Sequence, residues 1–196
     1  MVKKMMMRKL AFAMVILMLG VGVQAQDPGS LSKREQRKLL KEQKKQQEAR
    51  EAERYAKLVE HMVKSATFVL EADMLFDRYG NTRNVQSDIN FISADSTAGV
   101  LQIGSNAYLG MNGVGGVTIE GSVDDYEYSY SEKRETYTVN YNVRSPAGSY
   151  DVFMTVQPSG RADARVSGNF SSGSLRYSGR LVHPAESFVY KGTTTF

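Results

Sequence analysis

The chain contains no cysteine and only two histidines in 196 residues, and these shortages exclude much of the chemistry a small protein can carry. Without a thiol there is no disulfide, no thiolate metal site, no cysteine nucleophile and no N-terminal thiol for bacterial lipid anchoring. A hydrolytic zinc site needs two or three imidazoles close together. His61 lies in a helical stretch and His183 in a His183-Pro184 turn, so each reads as a surface or capping residue and no metal ligand set is assigned. No Gly-x-Ser-x-Gly elbow occurs to raise a serine nucleophile. The sequence therefore predicts no catalytic residue and no cofactor, and the fold must stand on packing alone.

The formal charge of +4 comes from the first nine residues, where Lys3, Lys4, Arg8 and Lys9 precede an apolar run from Leu10 to Val23. The remainder holds 21 basic and 21 acidic residues, which removes the electrostatic footprint of a nucleic-acid binder. A basic stretch, an apolar run and small residues at Val23 and Ala25 follow the order of a secretory signal peptide, residues 1–25, with cleavage between Ala25 and Gln26. The 14-residue run falls short of the roughly 17–25 residues that span a bilayer as a helix. The expected address is the periplasm or the exterior, with the protein soluble after cleavage.

From Ser30 to Ser65 proline and glycine are absent and Lys, Arg, Glu, Gln and Ala dominate, all good helix formers. One long helix is predicted within residues 26–66, with Ser30 or Ser32 as its N-cap. Its first half has only Leu39 and Leu40 as sizeable apolar residues. In its second half Tyr55, Ala56, Val59, Met62, Val63 and Ala66 recur at three- and four-residue steps, which gives that half a face to bury. Residues 30–66 carry eleven basic and six acidic side chains against ten and fourteen in residues 67–196. The charge reads as a solvated face with i,i+4 pairs such as Glu53 with Lys57, or as a contact of residues 33–48 with an anionic envelope surface.

After Thr67 the apolar period changes to two. Phe68, Leu70, Ala72, Met74 and Phe76 fall on one side of a strand, and further strands are predicted near 85–93, 99–104, 117–123, 126–131, 135–143, 149–157, 161–168, 174–182 and 187–191. Turn chemistry separates them, as in Tyr79-Gly80-Asn81 and Pro158-Ser159-Gly160. The connections are too short for parallel crossovers. The fold class is therefore mainly β: residues 67–196 form an antiparallel sandwich or partly closed barrel of about ten strands behind one charged helix. The inward set from alternation is Val117, Ile119 and Val123; Tyr126, Tyr128 and Tyr130; Tyr137, Val139, Tyr141 and Val143; Tyr150, Val152, Met154 and Val156.

Two stretches are candidates for ligand binding. Asn112, Gly113, Gly115 and Gly116 belong to a glycine-rich loop, but a phosphate cradle needs a helix or a Gly-Lys-Ser/Thr next, and here a strand follows; a structural loop with positive φ is the simpler account. Tyr126, Tyr128 and Tyr130 make a stripe that either stacks on a sugar or aromatic ligand or fills a core. Asp125 and Glu127 beside it read as solvated rather than as an acid–base pair.

Several segments together carry a resemblance. They are Phe68-Val69-Leu70-Glu71-Ala72-Asp73, Asn90-Phe91-Ile92-Ser93, the run Asn112 to Thr118 with Gly121, Gly160-Arg161-Ala162, Tyr177-Ser178-Gly179 and Val189-Tyr190-Lys191-Gly192. In their order and spacing over residues 66–195, the chain resembles the family catalogued as domain of unknown function 4251, small exported proteins of Bacteroidetes. The resemblance implies an envelope location and supplies no activity; the missing anchoring cysteine points to a soluble member. The expectation is a non-enzymatic exported protein that binds an envelope partner or small ligand. The alternatives are an enzyme on a carbohydrate or envelope polymer, and a lipocalin-like carrier with an apolar cavity in the barrel mouth.

Overall fold

The structure is a computed structural model that describes residues 32–105, 112–168 and 173–195. The signal-peptide reading and the capping role of Ser30 lie outside the described residues. Helix α1 spans Lys33–Lys64 and opens on a reciprocal capping box, in which the Ser32 amide donates to the Glu35 carboxylate at 2.9 Å and the Glu35 amide to the Ser32 hydroxyl at 3.3 Å. The chain divides into two compact units between Gln46 and Gln47, inside this helix. In the first unit residues 33–46 are exposed on every face, as a stretch with almost no apolar residues must be. Among the described residues no helix is long and apolar enough to cross a membrane.

The second unit is built on nine strands: β1 (Thr67–Phe76), β2 (Thr82–Asn84), β3 (Phe91–Asp95), β4 (Ala98–Ile103), β5 (Val117–Ser131), β6 (Thr136–Ser145), β7 (Gly148–Val156), β8 (Arg161–Gly168) and β9 (Ser174–Val182). All neighbours are antiparallel, and β1 pairs with β9 as well as with β3, which closes eight strands into a barrel; β2 is an extra strand on the outer end of β1. The predicted barrel is thus fully closed, and closure leaves those eight strands without a free edge.

The strand count differs from the expected ten for two physical reasons. The break in alternation at Asp124-Asp125 is a β-bulge inside one long strand, with Asp125 at a φ of 54°, a conformation that aspartate tolerates better than most residues. The predicted strand at 187–191 is a strap: after a 3-10 turn at Pro184–Glu186, capped by the His183 imidazole, the chain runs along the barrel's outside. The region predicted as a strand over 85–93 pairs only from Phe91 onward. A second bulge at Asp73 shifts the register of β1 against β9 between Ala72 and Met74. It turns Leu75 into the core in place of the predicted Met74 and Phe76.

The core is the barrel interior. Phe68, Leu70, Ile92, Val139, Met154 and Leu181 are fully buried, and the second half of α1 contributes Val59, Met62 and Val63 to the same cluster. Burial of such side chains is worth about 1.5–3 kcal/mol each, so this end of the barrel is closed by a helical plug. Tyr55 fixes it: its hydroxyl donates to the Leu181 carbonyl at 2.6 Å and its ring lies against Gly160, where a β-carbon would come within 2.3 Å of the ring. Outside the barrel Val69, Phe91 and Val100 form a smaller cluster under Val182 and Val189.

Candidate functional site

At the end of the barrel away from the plug, the inward side chains stop short of filling the interior. Leu101, Ile103, Val117, Ile119, Val166 and Leu175 line an apolar cavity of about 400 Å³, with Tyr150 and Tyr177 among its walls. Ile103 and Val117 are more than a third exposed, unusual for inward residues of adjacent strands paired directly with each other. The reason is position: they are the last inward residues of β4 and the first of β5, and among the described residues no helix packs over them. The floor is Tyr177, almost fully buried; burial pushes its phenol well above the usual range, so it stays a neutral hydroxyl.

One polar feature stands at the rim. The turn after β1 runs Asp77-Arg78-Tyr79-Gly80-Asn81, and Asp77 organises it by accepting from the Tyr79 amide at 2.8 Å, the Asn81 amide at 2.9 Å and the Asn81 side-chain amide at 2.7 Å. The Asn81 side-chain amide, more than the backbone donors, holds the Asp77 carboxyl below the usual range. This Asx geometry is what the sequence pattern implies for a tight turn, and its effect is to present Arg78 and Tyr79 as part of the cavity lining. The Arg78 guanidinium stacks 4.7 Å over the Tyr79 ring and donates to its hydroxyl. Among the described residues Arg78 has no carboxylate partner within ion-pair distance.

The tyrosine stripe belongs to the plugged end. Tyr126 is half-buried, stacks beside Tyr141 at 5.8 Å and donates its hydroxyl to the Val63 carbonyl at 2.6 Å; burial first, and Tyr128 second, push its phenol upward. Tyr128 and Tyr130 point to the same side but lie past the barrel wall on the β5–β6 hairpin, 44% and 47% exposed, with Tyr130 against Tyr137. The stripe thus splits into one core residue and two surface rings.

The glycine-rich loop is tied to the strap by a buried polar network. The Asn112 side-chain oxygen accepts from the amides of Val114 and Gly116, and its nitrogen donates to the Thr118 hydroxyl and the Ile103 carbonyl. Thr118 donates to Gln102, which also receives the Gly192 amide and donates to the carbonyls of Ile89 and Tyr190. Gln102 is wholly buried and fully satisfied, as a buried amide must be. Gly113 and Gly115 have φ of 75° and 73°, and a β-carbon on Gly116 would come within 2.0 Å of the Ile103 carbonyl oxygen. The polar atoms and glycines of this loop serve its own fold, and Gly110 and Met111 of the same run lie outside the described residues.

Asp125 borders a shallow depression on the outer wall with Asn140, Asn142, Asp151, Phe153 and Arg165. Glu127 is not part of it, and of the tyrosines Tyr141 borders it while Tyr126, Tyr128 and Tyr130 are not in its lining. Among the described residues no group of three metal-ligating side chains gathers. Sequence reasoning offered an apolar cavity in the barrel mouth only as an alternative, named none of its lining as a site and missed Arg78; the one signal present was the turn chemistry at 77–81, which marks a turn without saying that it borders the cavity.

Comparison with known proteins matches residues 49–181 to the family model described as Domain of unknown function (DUF4251). A crystal structure of a DUF4251 family protein from Bacteroides eggerthii DSM 20697 is 29% identical, with a TM-score of 0.59 over 69% of this chain and 91% of that one. No curated protein matches.

Proposed function

The chain belongs to the DUF4251 family, and from that premise, which brings a fold without an activity, we propose that it is an exported, non-catalytic binding protein that takes a small apolar ligand into the mouth of its barrel. The observation that carries this reading is the 400 Å³ apolar cavity at the end of the barrel away from the helical plug. Small-molecule sites are concave, mostly apolar and pre-formed, with a few placed polar groups, and volumes of roughly 300–1,000 Å³ are typical. An interior meant only for stability would be packed to crystal-like density along its whole length; at the other end Val59, Met62 and Val63 of the helix pack into it. Tyr177, 2% exposed, borders the space on its buried side without filling it.

The test is a titration with N-phenyl-1-naphthylamine, a neutral fluorescent apolar probe. At roughly 0.4 kcal/mol per non-hydrogen atom, within the range small ligands reach, it binds one-to-one with a Kd on the order of 10 µM. Ile119→Trp, placed in the cavity wall, abolishes that binding while circular dichroism stays unchanged. Absence of saturable binding, or binding indifferent to Ile119→Trp, refutes the proposal.

The export reading rests on the first 25 residues. N-terminal sequencing of the native protein is expected to begin at Gln26, and an intact leader refutes it. Residues 33–46, with seven basic and two acidic side chains exposed on every face, support contact with an anionic envelope surface. Tyr128 and Tyr130, open to solvent, offer a secondary stacking surface for a sugar or aromatic ring.

A further inference from the structure

We propose that the ligand of the barrel mouth is a single-chain amphiphile with an anionic head, a free medium-chain carboxylate, whose chain enters the cavity and whose carboxylate is held by Arg78 with Tyr79. The inference rests on the binding-protein reading above and deepens it by naming the ligand class.

Three observations carry it. The cavity wall is apolar on five strands, so the buried part of the ligand must be hydrocarbon. At about 30 Å³ per methylene, the volume a water takes in the liquid, 400 Å³ holds roughly ten to thirteen carbons, one chain and not the two of a membrane lipid.

The charge at the rim is the second observation. Asp77 and Arg78 are the ionisable acid and base in the lining, and they are not equivalent. Asp77 already accepts three hydrogen bonds from its own turn, whereas Arg78 has donors beyond the one given to Tyr79 and, among the described residues, no carboxylate to take them. A guanidinium forms a planar fork that suits a carboxylate. The unsatisfied charge at the entrance is therefore positive, and the complementary head is negative.

The third is pre-organisation. Arg78 is held by stacking on Tyr79 in a turn that Asp77 locks, so little side-chain freedom is lost when a ligand arrives. The Tyr79 ring, 75% exposed, offers an apolar surface beside the guanidinium where the head joins the chain.

The experiment displaces N-phenyl-1-naphthylamine from the full chain with decanoate, decanol and decylammonium at low and high salt. Decanoate is expected to bind ten- to a hundred-fold more tightly than decanol, the range a charge-assisted pair supports, with decylammonium the weakest. In Arg78→Gln that preference disappears while decanol affinity stays the same, and in 0.5 M salt it shrinks through screening. Arg78 is exposed, so its substitution leaves the fold intact, and the decanol arm verifies this. Decanol binding as well as decanoate, or Arg78→Gln weakening both alike, overturns the head-group assignment while leaving the cavity reading standing. If neither displaces the probe, or the probe itself fails to bind, the cavity reading falls and this inference with it.

Discussion

Tyr141 offers a sharp test of how this barrel is stabilised. Its ring is 3% exposed and packs edge-on to Phe68 at 6.3 Å and beside Tyr126 at 5.8 Å. Yet its hydroxyl, wholly out of reach of solvent, has no hydrogen-bond partner among the described residues. A buried hydroxyl stripped of water and left unpaired costs about 1–3 kcal/mol. Tyr141→Phe removes that penalty and keeps every ring contact. The void it leaves, on the order of 10 Å³ at about 24 cal/mol per Å³, costs only about 0.2 kcal/mol. The net expectation is a gain of about 1–2 kcal/mol. In urea this moves the midpoint up by roughly 0.5–1 M at unchanged slope, and it raises Tm by roughly 2–6 °C for a domain of this size. Tyr126→Phe is the internal control: it loses a 2.6 Å bond to the Val63 carbonyl, and stability should fall by about 1 kcal/mol. Loss of stability in Tyr141→Phe comparable to that of Tyr126→Phe would refute the reasoning and mean that the hydroxyl has a partner in solution.

The phenols of Tyr141 and Tyr177 are pushed upward chiefly by burial, so in the folded state they keep protons that the unfolded chain releases near pH 10. Their contribution is whole below that value and lost as pH rises above it, at about 1.4 kcal/mol per unit for each group. Chemical melts from pH 9 to 12 should therefore show stability falling above pH 10, less steeply in Tyr141→Phe, and a flat profile contradicts the assignment. Gln102→Ala strands two carbonyls and the Gly192 amide; it is expected to cost about 3 kcal/mol or more and to speed amide exchange at Gly192, Thr193 and Thr195 before the barrel strands. Gly160→Ala collides with the Tyr55 ring at a φ of +83° and should cost about 2 kcal/mol, a loss that Tyr55→Ala prevents from adding fully in a double-mutant cycle. Deleting residues 33–46, which bury nothing, should leave the thermal midpoint within about 1 °C.

Much of the architecture was legible in the residues because the pattern is local. Val139, Tyr141 and Val143, and Val152, Met154 and Val156, alternate as read and are buried, and the face carrying Val59, Met62 and Val63 is the one that packs. The misreadings fall where the period is interrupted. A bulge adds one residue to a strand, and its signature in sequence, an aspartate that interrupts the alternation, is the same as that of a loop; Asp73 and Asp125 each shift the phase in this way. Residues 187–191 alternate well enough for a strand, but their polar backbone is met by Gln102 and by the Asp88 carbonyl, not by a neighbouring ladder. Whether the barrel was closed depended on Val69 reaching Val182, a distance no window of residues spans. The lining of the cavity, which entered the sequence reading only as an alternative, was illegible for a related reason: it is defined by what several strands together fail to fill.

That seam between the first long strand and the last has a kinetic consequence. A chain emerging from its N-terminus can zip β3 through β8 hairpin by hairpin, but the cylinder cannot shut until residue 182 is available, with its partner held waiting more than half the chain earlier. Until then β1 carries an unclaimed row of amides and carbonyls, and the slow step of folding is a long-range loop closure. Such a protein should collapse quickly into an open sheet and finish late, so its exposure to aggregation is concentrated in the interval before the last strand docks.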